Sequence, residues 1–94
     1  MTPKNTYTEN MKVLLDDMNL SILELETITK KRDSVTQSIF RDELKKLKEQ
    51  LNIATERFSE IKSAGEQSWE ELVTDFEQVF EALKRSYRYI RTQI

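Results

Sequence analysis

WEELVTDFEQVFEALKRSYRYIRTQI, residues Trp69 to Ile94, decides the fold. Within it Trp69, Val73, Phe76, Phe80, Leu83, Tyr87, Ile90 and Ile94 recur at alternating spacings of four and three. That alternation is a heptad seam, with 69, 76, 83 and 90 at d and 73, 80, 87 and 94 at a. Leu72 and Val79 fall at g and widen the apolar stripe beyond what a two-stranded zipper needs. The stretch predicts a helix packed among several others, with its aromatic residues as core.

Upstream, Phe40, Leu44, Leu47, Leu51, Ala54, Phe58 and Ile61 keep the same alternation. Asp42 and Lys46 are spaced for an i,i+4 ion pair worth about 0.2–0.5 kcal/mol. Ile53 falls at c, off the seam, with no role assigned by the pattern. From Ile61 to Trp69 the d positions are eight residues apart, so the register slips by one at Gly65, the only glycine. A turn is predicted there, with Gly65 as a left-handed cap and Ser68 and Glu71 as a capping box. A skip residue inside one longer helix is the alternative.

The first segment places Tyr7, Met11, Leu14, Leu15, Met18, Ile22, Leu25 and Ile28 on one helical face. Asp16, Asp17, Glu24 and Glu26 fall on other sides. Thr6 with Glu9 makes a capping box for its start, and Pro3 at the first helical position behind Thr2 is an equally legal one. Between Ile28 and Phe40 the pattern falters: residues 29–34 are polar, and Val35, Thr36 and Ile39 are β-branched. A break is expected near 31–36, capped by Ser34 with Gln37 or by Asp33. Without it, one helix of about 56 residues and about 84 Å would result. Such a helix buries its first half only in a dimer.

The fold expected is all-α: one domain, a three-helix up-down-up bundle, with helices roughly over 6–31, 36–62 and 67–93. A long-helix antiparallel dimer is the alternative. Composition agrees. The 94 residues are 37% hydrophobic and 34% charged, with one glycine and one proline, which argues against a turn-rich β architecture. Neither cysteine nor histidine occurs. Disulfides, thiolate metal sites and the commonest general base are thereby excluded. The net charge is −2 and the pI about 5.2, which gives no bulk attraction to nucleic acid. No apolar run approaches the roughly 18 residues of a membrane span, and no signal-peptide core is visible, so a cytoplasmic location is expected.

Two clusters invite a functional reading. Glu70, Glu71, Asp75, Glu77 and Glu81 could suggest a carboxylate metal site, but they fall at e, f, c, e and b, away from the seam. A solvated face is expected instead, and no catalytic, cofactor or metal residue is assigned. Tyr89 lies at c among Lys84, Arg85, Arg88 and Arg91, an aromatic set among bases as on anionic surfaces. The plainer reading of these bases is complementation of the helix C-terminal dipole. Trp69 reads as a plug at one end of the bundle. An up-down-up chain also sorts its charge. Residues 24–48 and 81–94 share one end with 11 Lys/Arg against 6 Asp/Glu, whereas 1–23 and 49–80 share the other with 4 against 11.

Several stretches resemble a family of small bacterial stress-associated coiled-coil proteins of uncharacterised function. Tyr7-Thr8-Glu9-Asn10-Met11-Lys12 and Leu15-Asp16-Asp17-Met18-Asn19 are similar to its opening pattern Y-x-x-K-M-K-x-x-L-D-E-x-N. Ala64-Gly65-Glu66-Gln67-Ser68-Trp69-Glu70-Glu71-Leu72 resembles its S-G-x-x-W-E-x-L junction. The resemblance departs around residues 29–39 and implies no catalytic residue or ligand. The expectation for function is a non-enzymatic structural or interaction module, self-associating or binding a partner helix, in a stress-associated setting. The alternative is a peripheral binder of anionic surfaces that uses the basic end, with weak affinity for anionic lipid.

Overall fold

The computed structural model describes residues 3–94. It contains three helices: α1, Lys4–Lys30; α2, Ser34–Ser63; and α3, Trp69–Gln93. Lys4 at the start of α1 reaches the end of α2, and Arg32 after α1 reaches Ile94. The helices therefore run up, down and up along a body of 51 × 18 × 17 Å. The long-helix alternative does not occur, because the chain turns at 31–33. α2 and α3 are the most closely packed pair, while α1 lies mainly on α2.

The seam is where the heptads put it. Trp69, Phe76, Phe80, Leu83 and Ile90 are buried, and Val73, Tyr87 and Ile94 pack half-buried at its margin. Facing them are Leu47, Ala54, Phe58 and Ile61 from α2 and Leu15, Ile22 and Leu25 from α1. The Phe76 ring stands 5.7 Å from that of Phe58 and 5.6 Å from that of Phe80, centroid to centroid. Full burial of a phenylalanine contributes about 1.5–3 kcal/mol by transfer alone. At the end of the bundle where α3 begins, Trp69 lies 5.6 Å from the Tyr7 ring and closes the bundle as a plug.

Several local expectations are corrected. α1 starts at Lys4 with Pro3 as its N-cap, so Thr6 is inside the helix and forms no capping box. Thr2 lies outside the described residues. Asp33 caps α2, its carboxylate accepting from the Thr36 N–H at 2.8 Å. Gln37 instead donates to the carbonyls of Lys30 at 3.1 Å and Arg32 at 2.8 Å, closing the end of α1. Gly65 has no positive φ. The last turn of α2 is finished by Lys4, whose ammonium donates to the carbonyls of Lys62 and Ala64. A side chain from another helix thus does what a left-handed glycine was expected to do. Ser68 makes no cap bond to α3; its hydroxyl lies 3.4 Å from the Gly65 carbonyl. Asp42 and Lys46 do not form an ion pair; among the described residues the pairs formed along single helices are Lys12–Asp16, Arg57–Glu60 and Lys84–Glu81.

α1 departs most from expectation. Leu14, placed on the inner face by spacing, is 42% exposed, whereas Thr29, one turn beyond Leu25, is buried. Thr29 remains satisfied, since its hydroxyl donates to the Leu25 carbonyl at 2.8 Å. Val13, Leu20 and Leu23 point outward and are at least half exposed. This helix is apolar on two sides. Glu26, expected on a solvent side, turns towards α2 and pairs with Lys48 at 2.8 Å.

Candidate functional site

The five residues singled out near the C-terminus do not form one surface. Lys84, Arg88 and Arg91 share a groove of about 300 Å³ with Met18, Tyr87 and Thr92, between α1 and α3. Arg85 and Tyr89 are exposed but do not line it. Helical geometry explains the division: 84, 88 and 91 follow i, i+4, i+7, whereas 85 and 89 continue a neighbouring row. Lys84 also lies 5.3 Å from the centroid of the Phe80 ring and pairs with Glu81 at 2.6 Å. That hydrogen bond is the main cause holding the Glu81 carboxyl below the usual range.

The carboxylates on α3 are spread along its outside. Glu70, Glu71, Asp75, Glu77 and Glu81 are all exposed, and no group of three potential ligands converges among the described residues. Glu77 has one defined partner, accepting from the Tyr7 hydroxyl at 3.0 Å. Partial burial, and then this carboxylate, raise the Tyr7 pKa above its ordinary value of 10.0. The contact ties α1 to α3 at the acidic end.

A second basic concavity lies between α1 and α2, with a volume of about 310 Å³. Glu26, Thr29 and Lys30 form one wall, and Gln37, Arg41, Leu44, Lys45 and Lys48 form the other. The signal was present in the sequence as the spacing 37, 41, 45, 48 on one side of α2. By spacing alone, bases on the outside of a helix look like any solvated face. Only the packing of α1 alongside turns that row into a wall. Ile53, unassigned by the pattern, is 42% exposed and lines a third groove with Ser86 and Ile90.

Lys30 at the end of α1, Arg32 in the connection after it, Arg41 and Lys45 from the start of α2, and Arg88 and Arg91 from the end of α3 all lie towards one end of the bundle. The basic end expected from the charge count therefore exists as a topological fact. Among the described residues no helix is long and apolar enough to cross a membrane.

The class these features define is an all-α three-helix bundle with a basic and an acidic end. Searches against protein-family models, curated proteins and solved structures find no match to the chain.

Proposed function

We propose that the chain is a non-enzymatic interaction module that associates with a second copy of itself through the outer side of α1. The observation that carries this is the exposed strip Val13, Leu20 and Leu23, with exposures of 58%, 58% and 50%. An apolar row on a helix already committed to a core by its other side is the pattern of an uncompleted contact. The strip lies near the middle of α1, so two copies can overlap along most of the helix. Charge selects the orientation. Antiparallel copies set the +5 end of one against the −7 end of the other, whereas parallel copies set like ends together. A stress-associated role and a cytoplasmic location belong to this proposal through the resemblance of residues 7–19 and 64–72.

Sedimentation equilibrium tests it. At about 100 µM the expected mass is twice the 11.2 kDa of the chain, falling as salt rises. Leu20→Glu with Leu23→Glu is expected to give a monomer of unchanged helicity. A monomeric wild type at that concentration would overturn the proposal.

A second reading has its own support in the groove of Lys84, Arg88 and Arg91, which faces solvent at the basic end. It is weak, oriented docking on an anionic surface such as a phospholipid headgroup layer.

A further inference from the structure

The concavity between α1 and α2 combines uncompensated cations with an unpartnered buried acceptor. Arg41, Lys45 and Lys48 stand on successive turns of α2, and Lys30 faces them from α1. Of these four, Lys48 alone is ion-paired; Lys30, Arg41 and Lys45 have no carboxylate within 4.0 Å among the described residues. Three uncancelled charges on the two walls of a concavity focus positive potential inside it. Glu26 supplies the opposite feature. Its side chain is 18% exposed, Oε2 takes the Lys48 ammonium, and Oε1 is buried with no hydrogen-bond partner. A buried acceptor without a donor is costly, and a donor brought by a ligand removes that cost. The Gln37 amide nitrogen is already engaged twice by the end of α1. Thr29 and Leu44 add an apolar surface between the charged groups.

We propose that this cleft binds a small phosphate ester that carries hydroxyl or amino donors beside its phosphate. The phosphate oxygens meet Lys30, Arg41 and Lys45, with the Arg41 guanidinium offering a two-pronged contact. A hydroxyl or amino group of the ester donates to the Glu26 carboxylate, which turns its buried Oε1 into the cleft to accept it, and the carbon skeleton of the ester lies on Leu44. A divalent phosphate suits three cations better than a single carboxylate does. The volume lies at the lower end of the range of about 300–1,000 Å³ usual for ligand pockets, which favours a small molecule. The same chemistry exists free in solution and as a phospholipid headgroup. The proposal goes beyond self-association, since the cleft is on the α2 side of α1.

The test is a titration of the ¹⁵N-labelled full chain followed by amide shifts at constant ionic strength. Three probes are used: inorganic phosphate, glycerol 3-phosphate and phosphatidylglycerol vesicles. Glycerol 3-phosphate is expected to shift residues 26–30 and 37–48 saturably, and to bind several-fold more tightly than inorganic phosphate. Selective broadening of those amides by the vesicles would assign a lipid source, and its absence a free ester. Arg41→Gln with Lys45→Gln should weaken glycerol 3-phosphate by about tenfold or more, with the melting temperature held as a check of folding. Lys12→Gln with Lys62→Gln removes the same charge at the acidic end, away from both basic grooves, and should leave the affinity unchanged. Glu26→Leu should abolish the preference for the ester over inorganic phosphate. Unsaturable or scattered shifts, equal losses in the two charge variants, or a preference kept in Glu26→Leu would each overturn the proposal.

Discussion

Phe76 has no exposed surface and touches aromatic rings from both α2 and α3. Phe76→Ala is therefore expected to cost about 3–5 kcal/mol. Small domains have only about 5–15 kcal/mol in total, so urea melts should shift far and lose much of their steepness. A change below about 1 kcal/mol would mean that the ring is not packed as described. Gly65 makes the opposite case. Its backbone has no positive φ, and a Cβ added there meets only the Ser68 hydroxyl, at 4.0 Å. Gly65→Ala should hold or raise stability by about 0.4–1 kcal/mol, through the lower freedom of the unfolded chain. A clear loss in thermal melts would restore the left-handed reading. The sequence located this turn correctly, because a register slip and a lone glycine both mark a break. It did not reveal how the turn is capped, because the capping ammonium of Lys4 comes from a residue 58 to 60 positions away.

At the scale of elements, legibility followed amphipathicity. α2 and α3 each bury one side, so their heptads named the core residues directly. α1 is apolar on two sides, and spacing alone cannot say which is covered. Spacing therefore puts Leu14 inside and Glu26 in solvent and leaves Thr29 unmarked, although Leu14 is exposed, Thr29 is buried and Glu26 faces the cleft. The start of α2 was bracketed by two rival caps, and Asp33 prevails because Gln37 is drawn to the carbonyls ending α1. The Asp33 carboxyl is held below its ordinary 3.8, first by the backbone N–H of Thr36. A depressed carboxyl contributes stability that is present above its unfolded pKa and lost as pH falls through the folded value. Asparagine caps about as well without titrating. Asp33→Asn should thus match the wild type near pH 7 and lose less melting temperature as pH falls below about 4. Parallel acid limbs for the two proteins would remove the cap from any pH-dependent role.

For the whole molecule, the charge count made on sequence segments becomes a separation along a 51 Å axis once the three helices alternate in direction. The acidic end is pinned by Tyr7, Trp69 and Glu77, and the basic end presents two concavities on different sides of α1. Anionic-surface docking depends on the one between α1 and α3. Each base near a charged membrane contributes about 1 kcal/mol, and the effect fades within a Debye length of about 8 Å in physiological salt. Lys84, Arg88 and Arg91 lie within one groove and act together, whereas Arg85 falls outside it. The acidic end is repelled, so contact is weak and end-on. Binding to anionic but not zwitterionic liposomes is expected at low salt, with loss by about 0.3 M. Lys84, Arg88 and Arg91 changed together to Gln should abolish co-sedimentation while helicity remains, and Arg85→Gln should reduce it only slightly. A wild type that ignores anionic liposomes at low salt removes this reading, and the bases then serve the helix ends, the pairing of copies and the cleft between α1 and α2.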